Sequence, residues 1–215
     1  LWSTQRPPGA HKSVLRPVEF DITTYLAEIR HTARLHPEEA CYDPEPRSPA
    51  RRAALEQLRR YALVRDVPLL VLGERGTGKT RTVERYLSQL RGTKVFTVAC
   101  GTLHPERAES DIFGHKKVAF TGADRDRRGA IVMAQDQILF LDEVQDLPRA
   151  VQRKLVRTFQ GQPQRFRPMG ADTEEEAHVE LVCGSNRTFA ELQELLDPDL
   201  LDRIAHLVVT LPQLR

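Results

Sequence analysis

Cysteine and aromatic residues are scarce in this chain. Its 215 residues include three cysteines, one tryptophan and 6% aromatics in all. Cys41, Cys100 and Cys183 are far apart, odd in number and form no Cys-x-x-Cys pair, which excludes a disulfide framework and a zinc-binding spacing. Free thiols in a reducing cytosol are expected. No apolar run approaches the roughly 18 residues of a membrane span, and the opening "LWSTQRPPGAHKS" has no signal-peptide core, so no membrane contact is expected. Charge of one sign is missing as well. With 32 Lys+Arg and 30 Asp+Glu the net charge is +2, and composition alone marks no nucleic-acid binder. There is no repeat and no low-complexity tract. The first residue is not Met and the last segment stops abruptly, so the chain reads as a piece of a longer protein.

What is present falls into two parts. Residues 1–47 read as an N-terminal helix and a Pro-rich linker, the end of an upstream domain. In "FDITTYLAEIRHTARL", Ile22, Leu26, Ile29 and Ala33 recur at helical spacing, and "HPEEACYDPEPRSP" is Pro- and charge-rich. From residue 48 to 215 helix and strand alternate. "SPARRAALEQLRRYALV" has Ser as a plausible N-cap with Pro at the first helical position. "VPLLVLG", "KVFTV", "QILFLDE", "VELVCG" and "AHLVVTL" are short apolar strands. "GKTRTVERYLSQL" is helical with Val83, Leu87 and Leu90 on one side, and "RAVQRKLVRTFQG" is a helix stopped by Gly161. This alternation predicts an α/β fold with a parallel five-stranded sheet flanked by helices.

Two motifs carry chemistry. The segment from Gly73 to Thr80, "GERGTGKT", fits G-x-x-x-x-G-K-[ST] between a predicted strand and a predicted helix. Its glycines let backbone N–H groups and the helix N-terminus face a phosphate chain. Lys79 is expected to reach the β- and γ-phosphates, and the Thr80 hydroxyl to ligate Mg²⁺. The nucleotide-binding candidates are Gly73, Glu74, Arg75, Gly76, Thr77, Gly78, Lys79, Thr80, Arg81 and Asp142. The second motif, "ILFLDE", ends a buried strand in two acids at the carboxyl edge of the sheet. Asp142 is suited to hold Mg²⁺ through its water shell, and Glu143 to polarise the attacking water. Asn186, ending the next strand in "CGSNR", is placed to bond the γ-phosphate or the water; a turn-forming Asn is the alternative.

"GERGTGKT", "SDIFGHKKVAFTGA", "LFLDEV", "VQRKLVRTF", "SNR" and "DLLDRI" follow one another in the order of the bacterial enhancer-binding proteins. The stretch from Ser48 to Arg215 resembles their AAA+ P-loop NTPase domain, which activates sigma-54 RNA polymerase. The resemblance implies ATP as substrate with Mg²⁺, and a ring of six or seven subunits. It implies a surface loop whose Phe120, Thr121 and Gly122 touch sigma-54 or another remodelled protein; Phe120 folding back onto the domain is the alternative. It makes Arg203 an arginine finger completing a neighbour's site, the alternative being an ion-paired surface Arg. It likens "RFRPMG" to a second hairpin loop facing the ring's pore. Any contact with DNA would come from regions outside this chain.

Departures from the family pattern accompany the match. Val118 stands where the contact loop begins with Gly, and a β-branched residue disfavours positive φ, so the opening of the loop is expected to differ. Ala99 stands where an Asn restrains the catalytic Glu, and its methyl cannot hydrogen-bond. Asp197 falls near the place of a second arginine finger, where it would repel a triphosphate. The chain stops at "TLPQLR", where the family continues into a helical lid bearing a phosphate-sensing Arg. The expectation is an ATP-driven remodeller of sigma-54 RNA polymerase with Glu143, Asn186 and Arg203 as catalytic residues. The alternative is a switch or scaffold of weak turnover, retargeted to gate an effector in a stress or antiphage-defence assembly.

Overall fold

The computed structural model describes residues 48–213. The predicted helix at 20–35, the linker up to residue 47 and Cys41 lie outside them.

The first described residue is a helix cap. Ser48 accepts the Arg51 N–H at 3.2 Å with Pro49 in the first turn, starting α1 (Pro49–Ala62). After β1 (Leu69–Leu72) the chain is helical through Lys79–Arg81, a π-helical stretch Thr82–Leu87 and Ser88–Arg91, together α2. Then come β2 (Val95–Ala99), α3 (Ala108–Phe113), α4 (Ala130–Met133), β3 (Gln137–Asp142) and α5 (Arg149–Thr158). A short antiparallel hairpin, β4 (Gln164–Phe166) and β5 (Glu175–Ala177), precedes β6 (Val179–Ser185), α6 (Phe189–Leu195), α7 (Pro198–Ile204) and β7 (Leu207–Thr210). Helix α5 ends at Thr158, ahead of the expected stop at Gly161; Phe159 caps it at φ −96° and ψ 24° and packs in the core.

The predicted strands are β1, β2, β3, β6 and β7, and they form one parallel sheet in the order β2-β3-β6-β1-β7. Alternation along each strand sorts side chains to the two faces. Leu70, Leu72, Leu139, Leu141, Leu181 and Cys183 join one core under α3, α4, α5, α6 and α7. Leu69, Val71, Ile138, Phe140 and Val182 join the other under α1 and α2, with Val83 and Leu87. Each such fully buried side chain contributes about 1.5–3 kcal/mol. Cys100 and Cys183 are free and buried, and burial pushes both thiols well above their ordinary pKa.

At the amino-terminal edge of the sheet a buried cation ties three elements. Arg91, 1% exposed, pairs with Glu180 at 2.9 Å and donates to the Val64 carbonyl at 2.9 Å. Its own burial lowers its pKa, and Glu180 opposes that shift.

Two protrusions are stitched together. The loop after α3 starts at His115, whose backbone pairs with Arg127. Lys116 N donates to Met169 O at 2.9 Å, and Met169 N to Gly114 O at 3.0 Å. Met169 belongs to the turn of the β4–β5 hairpin. Lys116 also pairs with Glu175 at 3.3 Å.

Candidate functional site

Strand β1 delivers the chain to the loop from Gly73 to Gly78. Thr77 closes that loop on itself, its N–H at 3.3 Å and its hydroxyl at 2.9 Å from the Glu74 carbonyl. From α1, Arg51 donates to the Thr77 carbonyl at 3.0 Å. Gly78 enters the helix at φ 80°, a left-handed conformation open to glycine at no steric cost, and no side chain caps the end it begins. The first N–H groups of α2 therefore face outward from the sheet edge, as an anion requires. Lys79 is 8% exposed, and its ammonium donates to the Gly73 and Glu74 carbonyls at 2.7 and 3.2 Å. Burial lowers its pKa, Asp142 and Glu143 push it back up, and Arg75 adds to the lowering. Glu74 accepts from Gln213, while Arg75 and Arg81 are exposed at the rim.

Sheet order brings the acids to this loop. Strand β6 lies between β1 and β3, with Ser185 in register with Leu72 and Cys183 with Leu141. The ends of all three strands thus meet at one edge. The Thr80 hydroxyl donates to Asp142 Oδ2 at 2.7 Å, and the Glu143 N–H to Asp142 Oδ1 at 3.1 Å. These are hard oxygen donors of the type Mg²⁺ prefers. Among the described residues no cluster of three His, Cys, Asp or Glu side chains could hold a metal by itself.

Glu143 sits in the left-handed region at φ 55° and ψ 49°. Such a conformation costs on the order of 1–3 kcal/mol in a non-glycine residue and aims the side chain away from the strand direction. Its carboxylate passes close to Gly101, where a Cβ would stand 2.6 Å from Oε2, so a larger residue there would push the carboxylate aside. On the other side Asn186 donates from Nδ2 to Glu143 Oε1 at 3.1 Å. Ala99 is in register with Asp142 and offers no donor. The donor to the glutamate comes from β6, two strands away from β2.

The remaining candidates lie elsewhere. Arg203 lines a cleft of about 190 Å³ at the opposite, amino-terminal edge of the sheet, with Val67, Phe159, Gln164, Val179 and His206. It does not meet Lys79 within one chain. Phe120 is 38% exposed, with its ring against His115 in a T-shaped contact of 5.0 Å between centroids. Thr121 and Gly122 are exposed beside it. Val118 corrects one expectation. It keeps positive φ at 67° despite its branched side chain, so the opening of the loop retains a glycine-like turn, closed by Val118 N to Ala123 O at 2.8 Å. Asp197 is committed to other work: it caps α7 through the Asp199 N–H and pairs with Arg153 at 3.3 Å.

Sequence reasoning passed over Arg51, Gly101, Gln145 and Ser185. A buried Arg in an N-terminal helix and a Ser before the Asn carry no periodic signal. Gln145, two positions beyond the acid pair, is legible only once its neighbours are known.

The chain's residues 46–210 match the family model described as the sigma-54 interaction domain. The Psp operon transcriptional activator of Escherichia coli K12 is 38% identical over 169 residues, covering 75% of this chain and 50% of that protein. The alginate biosynthesis transcriptional regulatory protein AlgB of Pseudomonas aeruginosa is 35% identical over 176 residues, covering 80% of this chain and 38% of that protein. The chain thus spans half or less of the length of these relatives. Among solved structures, NtrX from Brucella abortus in complex with ADP superposes with a TM-score of 0.69 at 23% identity, over 93% of this chain and 44% of that one. At that identity the likeness is one of fold, the same parallel sheet covered by helices. Among the described residues no helix is long and apolar enough to cross a membrane.

Proposed function

This chain belongs to the sigma-54 interaction domain family, and from that premise we propose that it binds ATP with Mg²⁺, hydrolyses it, and uses the cycle to move its Phe120 loop against sigma-54 RNA polymerase. The observation that carries this reading is the junction of three strand ends, where Thr80, Asp142, Glu143 and Asn186 are linked by hydrogen bonds of 2.7 to 3.1 Å.

In this reading the Gly73–Gly78 loop and the start of α2 cradle the phosphates, and the Lys79 ammonium leaves its loop carbonyls for the β- and γ-phosphates. Thr80 and Asp142 would hold the Mg²⁺, which would supply positive charge to the phosphate oxygens. Glu143 takes a proton from the water that attacks the γ-phosphorus; the bond to the bridging oxygen breaks, and ADP leaves with inorganic phosphate. Asn186 orients the glutamate and the water. Arg203, remote from the site of its own chain, enters that of a neighbour in a ring and offsets charge building on the γ-phosphate.

The test measures ATP turnover with and without sigma-54, and capture of sigma-54 by the chain held with ADP and a metal fluoride. Turnover together with capture supports the reading. Turnover without capture transfers the output to another partner, and tight ATP binding without turnover overturns the hydrolytic role.

A further inference from the structure

Asn186 can serve Glu143 only if its amide faces the right way. Its Nδ2 must point to the carboxylate and its Oδ1 away from it. A chain of hydrogen bonds, one buried and the rest part-buried, fixes that direction. It starts at a backbone N–H, which can only donate: Arg187 N gives its hydrogen to Ser185 Oγ at 3.0 Å. Ser185 is 0% exposed, so its hydroxyl proton needs an acceptor inside the protein. It finds Gln145 Oε1 at 2.7 Å. With its oxygen taken by Ser185, Gln145 turns Nε2 the other way. That group reaches Asn186 Oδ1 at 3.4 Å and Asp146 Oδ2 at 3.5 Å. Asn186 Oδ1 is thereby drawn to Gln145, and Nδ2 is left to Glu143 Oε1 at 3.1 Å. Every link runs from donor to acceptor in one sense, from the Arg187 amide to the Glu143 carboxylate.

We propose that Gln145, itself oriented by Ser185, is a positioning residue that sets the direction of the Asn186 amide and so fixes the Glu143 carboxylate for its work at the nucleotide. Gln145 touches neither substrate nor metal; it acts through Asn186. The reversed amide would set Asn186 Oδ1 against a carboxylate oxygen, a repulsive contact in a partly buried site. The kinetic part of this proposal rests on the hydrolytic reading above, while the amide direction stands without it.

Asn186 is the only asparagine in the 215-residue chain, so labelling with [¹⁵N]asparagine gives one side-chain NH₂ pair. In the nucleotide-free chain that pair is expected away from the position of a free amide and slow to exchange with solvent. Gln145→Leu and Ser185→Ala, checked for folding by circular dichroism, should each return it toward the free position. With ATP, Gln145→Leu should lower kcat about tenfold and leave KM within about twofold, as loss of positioning alone does. Gln145→Glu, which places an acceptor opposite Asn186 Oδ1, should lower kcat further. Against an Asn186→Ala background Gln145→Leu should have no further effect. An NH₂ pair unmoved in both folded variants overturns the proposal. A moved pair with unchanged kcat overturns the positioning role. A moved pair in a chain whose wild type turns over no ATP supports the amide direction and sinks the hydrolytic reading instead.

Discussion

The Thr80 hydroxyl stands 2.7 Å from Asp142 Oδ2, although 62 residues separate the two in the chain. The contact joins the phosphate loop to the acid strand, so altering either partner should act on both. Thr80→Ala and Asp142→Asn are each expected to weaken Mg²⁺-dependent ATP binding, read as a smaller nucleotide-induced rise in Tm. An undiminished rise in both variants would remove them from the metal site.

Burial disfavours the charge of Lys79, a cost that a triphosphate would relieve. Lys79→Ala should therefore leave the nucleotide-free Tm no lower than wild type while abolishing the ATP-induced shift. Calorimetric titration with ATP checks it, and wild-type affinity in the variant would contradict the assignment.

Glu143→Gln keeps the size of the side chain and removes the proton acceptor. ATP binding should persist while turnover falls on the order of 10²–10⁴-fold. A variant that hydrolyses at the wild-type rate would take the role of base away from Glu143.

Arg203 and Lys79 lie at opposite edges of the sheet. Arg203→Ala and Lys79→Ala should each be inactive as homogeneous assemblies, yet a mixture should regain part of the turnover, because Lys79→Ala subunits can still supply Arg203 to intact neighbouring sites. A mixture as inactive as its components counts against action between subunits.

Val118 keeps φ 67° and is 78% exposed, so its branching strains the turn and gains little packing in return. Val118→Gly should relieve about 1–3 kcal/mol of strain against an entropic loss of about 0.5–1 kcal/mol. The net expectation is a small rise in the denaturation midpoint; a fall would show that the valine packs usefully.

The sheet was legible because its strands are short apolar runs bounded by turn residues, and the phosphate loop because its glycines and Lys-Thr hold a fixed spacing before a helix. The convergence of Lys79, Thr80, Asp142, Glu143 and Asn186 followed once the strands were taken as parallel. The donor to Glu143 was not legible. It depends on β6 lying between β1 and β3, a matter of strand order that no local pattern encodes. Ala99 reads as a missing restraint in the sequence, whereas in space Asn186 supplies one. Asp197 shows the reverse case: Asp before Pro at a helix start is a local capping signal, and the cap is the role its carboxylate takes. Positive φ at Val118 runs against the residue's own preference, and only the surrounding turn hydrogen bonds impose it.

The backbone bonds from Gly114 and Lys116 to Met169 give the Phe120 loop and the β4–β5 hairpin a common root. The two fingers thus leave the domain from one shared anchor, like two tines of one fork. The Lys116–Glu175 pair adds a side-chain tie beside those backbone bonds, so the hairpin and the loop present their tips from a single doubly fastened base.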